Sequence, residues 1–120
     1  MLTLRMDHIG DMAIIECKGR IVRSDATLKL HEAVTAQQNV RIVVLDLTQV
    51  RALEGGGLGM LWFLQLWSED HGIHFKLYNP INSVRDKLEH NQAMLRFDIV
   101  TFEEMVSLVD HADNRYARAA

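Results

Sequence analysis

The run Val40–Leu47 constrains the fold more than any other part of this chain. Ile42, Val43 and Val44 are consecutive β-branched residues, and the run is long enough for a strand but short for a helix. Apolar on both sides, such a strand is buried on both sides, which requires helices on at least one face of its sheet. Gly55-Gly56-Gly57 then breaks the chain before Leu58–Asp70, which reads as a helix closed by Gly72. A strand, a glycine-rich turn and an apolar helix therefore stand in direct succession.

The flanking segments fit the same architecture. Leu2–Ile9 alternates apolar and polar residues, Gly10-Asp11 permits a tight reversal, and Met12–Lys18 reads as a second strand ending at Gly19, so the two form an antiparallel hairpin. Ser24 and Asp25 are good N-caps for a helix that should stop near Gln38-Asn39. Ile73–Tyr78 alternates as a strand, Ser83–Asn91 continues as a helix, and Met94–Val100 holds a short strand. Thr101-Phe102-Glu103-Glu104 is a capping box opening a last helix through about His111. The order β-β-α-β-α-β-α-β-α predicts an α/β fold, a hairpin leading into a mostly parallel sheet with helices packed against it. One domain over residues 1–112 and a frayed tail over 113–120 are expected.

Charge narrows the range of functions. Thirteen Lys and Arg against sixteen Asp and Glu leave a formal charge of −3, and the cations are scattered, so nucleic-acid binding is not expected. The longest apolar stretch, Leu58–Trp67, is shorter than the roughly 20 residues that span a bilayer, and no membrane insertion is expected. A single cysteine, Cys17, and the lack of a signal-peptide pattern point to the cytoplasm. Cys17 reads as a small apolar residue within a strand.

Three segments compete as functional sites. The turn Glu54-Gly55-Gly56-Gly57-Leu58-Gly59 places glycines at a helix start, where backbone amides can meet an anion, although the spacing matches neither a phosphate-binding loop nor a dinucleotide fingerprint. An anion- or nucleotide-binding module and a tightly packed turn are both open readings. Within Leu58–Trp67 the apolar residues reach nearly all round the helix, so neighbouring elements cover the excess or another protein does, with Met60, Phe63 and Trp67 as the candidate contacts. His71 and His74 lack a third ligand at suitable spacing, so no metal is expected. No catalytic pair, cofactor or enzymatic role is indicated.

Several pieces together resemble the STAS family, named for sulphate transporters and anti-sigma factor antagonists. Gly19-Arg20-Ile21 is similar to the family's glycine after the hairpin. Val43–Val50, reading Val-Val-Leu-Asp-Leu-Thr-Gln-Val, is similar to its central strand and Asp-Leu-Ser-x-Val ending. Gly72–Leu77 and Val84–Leu88 resemble the next strand and helix, and the matching pieces run over roughly residues 2–110.

The resemblance implies a partner-binding module. In antagonists of this family the turn reads Asp-Ser-Ser/Thr-Gly-Leu-Gly, and the first hydroxyl residue is phosphorylated by a kinase that also holds a sigma factor. Here Glu54 replaces the acid, Gly57-Leu58-Gly59 is kept, and Gly55 and Gly56 replace both hydroxyl residues. The implied partner is an anti-sigma kinase-like ATPase or another STAS protein, bound without a phosphorylation switch at the turn. A role in sigma-factor and transcription regulation follows from the same resemblance. An accessory subunit of a lipid transporter is a further family role, and the apolar helix makes a homodimer a possible assembly.

Overall fold

The computed structural model describes residues 2–22, 25–37, 39–90 and 96–119. Strand β1 (Leu2–Ile9) and strand β2 (Met12–Ile21) form the expected antiparallel hairpin, turned at Gly10 with φ +57°. Helix α1 (Asp25–Thr35) leads to strand β3 (Ile42–Leu53), and helix α2 (Gly57–Asp70) leads to strand β4 (His74–Tyr78). Helix α3 (Asn82–Glu89), strand β5 (Asp98–Val100) and helix α4 (Phe102–Ala119) complete the order. The strands lie side by side as β1-β2-β3-β4-β5, and every pairing after the hairpin is parallel.

Strand alternation separates two apolar layers. Val43, Leu45 and Leu47 of β3 point to the face covered by α1, α2 and α3, where they pack with Leu30, Val34, Leu61, Leu64, Val84 and Leu88. Ile42 and Val44 point the other way, with Met12, into a smaller cluster under α4. Helix α4 presents Met105, Leu108, Val109 and Ala112 to it, at the spacing of a single helical stripe. The two-sided burial expected of the central strand is thus met by helices on both faces.

Local signals act where they were read. Thr101 Oγ1 accepts from the Glu104 amide at 3.1 Å while Glu104 Oε1 accepts from the Thr101 amide at 3.2 Å, a reciprocal cap on α4. Gly72, at φ +69°, ends α2: its amide donates to Glu69 O and the Ile73 amide to Ser68 O, the bond pair of a Schellman motif. Ser24, Gln38, Asn91 and Met94, expected at element boundaries, lie outside the described residues.

Two boundaries differ most from expectation. Strand β3 does not stop at Leu47 but continues to Leu53, because β2 itself continues past Gly19 to Ile21 and offers it a partner. The register shifts twice along this pair, and Asp46 Oδ1 accepts from both the amide and the hydroxyl of Thr48 at the first shift, at 3.0 and 2.6 Å. Helix α4 does not end near His111 but runs to Ala119, so the segment expected to fray is helical up to that point. Ala112, fully buried against the sheet, carries the packed stripe beyond His111, and alanines further on favour propagation.

Candidate functional site

The carbonyl of Ile21, last residue of β2, organises the turn between β3 and α2. It accepts a hydrogen bond from the Glu54 amide at 3.0 Å. It also lies so close to Gly57 that a β-carbon there would stand 2.3 Å from its oxygen and 3.0 Å from Leu53 Cδ1. Only glycine permits that approach. Gly55 makes the reversal at φ +57°, a left-handed conformation that side chains with a β-carbon disfavour. Gly56 is the N-cap of α2, at φ −76° with no side-chain cap, and the Gly57 amide donates to Glu54 O at 3.0 Å.

The three glycines therefore do three different things. Gly57 is buried and serves packing, whereas Glu54, Gly55, Gly56 and Gly59 are exposed, and Leu58 is half-buried against the core. Of the six turn residues expected to meet a partner, Gly57 is the one whose position gives it no surface.

Glu54 ties the turn to two other elements. Its Oε2 lies 3.4 Å from Arg20 Nη2 on β2, and its Oε1 lies 3.8 Å from Lys87 Nζ on α3. All three side chains are about half exposed, so each pair is worth at most about 1 kcal/mol. An open groove of about 880 Å³ runs between the turn and α3, lined by Glu54, Gly55, Leu58, Ser83, Lys87 and His90 among others. The Gly57 amide at the α2 N-terminus already donates to Glu54 O, and the two nearby cations are already paired with the Glu54 carboxylate, so the anion-binding reading of this helix start gains no support from the geometry.

Along α2 the apolar circumference is partly covered and partly free. Leu61 and Leu64 enter the core, Met60 packs on its edge, and Trp62 sets its ring against Phe97 edge-on at 6.1 Å. Trp67, half-buried, stacks on His71 at 4.1 Å, and His71 Nδ1 donates back to Trp67 O at 2.8 Å. Phe63 remains 45 % exposed and Leu66 47 %. Neighbouring elements thus cover Leu61, Leu64 and part of Met60 and Trp67, while Phe63 stays exposed. Leu66 was missed, although its position three residues after Phe63 puts it on the same side.

The remaining candidates are not brought together. His71 is engaged with Trp67, His74 is exposed on β4, and no group of three or more metal-ligating side chains forms among the described residues. Cys17 is 2 % exposed; burial, and then the Asp46 carboxylate, push its thiol from 9.0 up to about 12. A thiol held protonated in this way is a poor nucleophile.

The fold of the chain has counterparts among solved structures. The anti-sigma factor antagonist SpoIIAA in its unphosphorylated form superposes with a TM-score of 0.66 at 16 % identity, covering 92 % of this chain and 98 % of that one. The chain has the SpoIIAA fold. An anti-sigma factor antagonist from Mycobacterium paratuberculosis shares it at a TM-score of 0.61 and 18 % identity, covering 92 % of this chain and 95 % of its own. The SpoIIAA fold also recurs in the murine anion transporter Slc26a9, with a TM-score of 0.70 and 16 % identity over 88 % of this chain but only 18 % of the transporter. No protein-family sequence profile matches the chain, and no curated protein matches it. No helix among the described residues is long and apolar enough to cross a membrane.

Proposed function

We propose that this chain is a docking module of the anti-sigma factor antagonist kind. Its exposed turn Glu54–Gly56, with Leu58 and Gly59, receives an anti-sigma kinase-like ATPase or another STAS protein, and the chain performs no chemistry of its own. The carrying observation is that the turn between β3 and α2 stands open to solvent and bears no hydroxyl group. SpoIIAA is known in both phosphorylated and unphosphorylated forms, and a phosphoryl group adds nearly two negative charges. Gly55 and Gly56 offer no oxygen to carry one.

The charge on Glu54 supports a permanently docking-competent state. Arg20 and Lys87 flank its two carboxylate oxygens, so it presents a partner with a compensated charge and is a poor imitation of phosphate. Such a module would work in the cytoplasm beside the sigma-factor machinery.

The test is a titration of the purified chain against an ATP-loaded anti-sigma kinase from the same cells. The expected result is a one-to-one complex that persists in ATP with no phosphate on the chain. Phosphate transfer that releases the chain refutes the proposal. The likeness to Slc26a9 favours a second reading, a subunit of a membrane transporter supplied in trans; co-purification with a transporter in place of a kinase would decide for it.

A further inference from the structure

At the far end of α2 from the turn, Phe63, Leu66 and Trp67 line an open groove of about 600 Å³ that ends at Glu69 and Asp70. Leu66 lies nine residues beyond Gly57, about 14 Å along the helix axis, so this surface is separate from the turn. Helix α1 extends it. The His31 ring sits 5.0 Å from that of Phe63, and Leu28, one turn earlier on α1, is 54 % exposed. Aromatic and aliphatic side chains are thus left uncovered across two adjacent helices.

The charge around this patch says what covers it. Glu69 and Asp70 occupy the last turn of α2, where the helix dipole is negative and cations are favoured, and that turn contains no basic residue. His71 follows that turn, and its Nδ1–H is spent on the Trp67 carbonyl. Glu69 accepts from Gln65 Nε2 at 3.0 Å, a neutral partner. On α1, exposed Glu32 adds a further carboxylate one turn after Leu28, and Lys29 is the one cation among the described side chains of that helix. Among the described residues no cation pairs with Glu69 or Asp70, and a partner's cations would relieve them.

We infer that the Leu28–Phe63–Leu66 face is a second docking surface, whose occupant is an amphipathic helix with basic residues beside its apolar stripe. Anchors at helical spacing suit the apolar line Phe63–Leu66, and cations at the stripe's edge meet Glu69, Asp70 and Glu32. A second copy of this chain fits less well, because its matching face brings Glu32, Glu69 and Asp70 and, from α1, only Lys29 among the described side chains as a cation. The inference shares with the docking proposal only the premise that the chain binds proteins, and it does not depend on the turn.

Two synthetic 18-residue amphipathic helices test it, one of leucine and lysine and one of leucine and glutamate in the same pattern, titrated into the full chain by fluorescence anisotropy. The lysine peptide is expected to bind at least tenfold more tightly than the glutamate peptide. Leu66→Asp should weaken the lysine peptide at least tenfold even though it adds a negative charge, and the double variant Glu69→Lys, Asp70→Lys should reverse the preference. Gly56→Asp, at the turn, should change neither, so failure of this surface is distinguishable from failure of the turn. Equal binding of both peptides, no binding of the lysine peptide, or unchanged or tighter binding by Leu66→Asp overturns the inference. So does sedimentation of the wild-type chain as a dimer that Leu66→Asp dissolves.

Discussion

Replacing Gly57 by alanine isolates the contact on which the turn is built. The added β-carbon would meet Ile21 O at 2.3 Å, and ordinary contact begins near 3.4 Å, so β2's end and α2 must separate by about 1 Å. The same oxygen holds the Glu54 amide at 3.0 Å, and that bond lengthens as the carbonyl retreats. Overpacking costs about 1–3 kcal/mol and a weakened buried hydrogen bond about 0.5–1.5 kcal/mol, so a loss of about 2–4 kcal/mol is expected. With a urea slope of about 1.5 kcal/mol/M, the unfolding midpoint falls by roughly 1.3–2.7 M. Gly59→Ala provides the control two residues on: its β-carbon meets nothing within 4 Å, and removing a helical glycine should stabilise the chain by about 0.5–1 kcal/mol. Urea melts followed by circular dichroism read both. A Gly57→Ala midpoint equal to wild type would show that the close approach is absent, and the account of the turn would fall with it.

Gly55→Ser places a β-carbon at φ +57° and should cost about 1–2 kcal/mol, whereas Gly56→Ser, at φ −76° and ψ 0° in the ordinary right-handed region, should gain about 0.4 kcal/mol by restricting the unfolded chain. Urea midpoints of the two variants check the sign difference, and Gly56→Ser is accordingly the better variant for offering a kinase a hydroxyl at this turn. Cys17 makes stability fall at alkaline pH: its folded value is raised, so the unfolded chain loses the proton first. The contribution is intact below pH 9.0 and declines towards about pH 12, by roughly 4 kcal/mol in full. Cys17→Ala should flatten that part of the stability–pH profile, and an unchanged slope would show that the thiol is not held protonated.

What could be read without the structure was whatever a few neighbouring residues decide among themselves. Thr101 and Glu104 cap each other across a single turn, Gly72 closes α2 by its own backbone freedom, and Gly10 turns the hairpin. The nearly unbroken apolar run Ile42–Leu47 announces a strand buried on both sides, and with the helical stripes it implies the layered α/β order. That the turn carries no hydroxyl was legible in the same way, since its glycines are consecutive.

Contacts between distant segments carried no such signature. Strand β3 reaches Leu53 only because β2 runs alongside it to Ile21, and the two register shifts belong to the pair, not to either strand. Gly57 looks like its neighbours Gly55 and Gly56 in the sequence, yet it is buried because Ile21 comes to lie against it. Glu54 meets Arg20 and Lys87 across three elements, and α4 outlasts its expected end because Ala112 has a sheet to rest on. Hydrogen bonds within a turn and the period of a helix or strand are set over a few residues, so the sequence determined the elements and their order. Which glycine is exposed, which acid is paired and which part of α2 stays bare depend on surfaces meeting from far apart in the chain, and only the tertiary structure decides them.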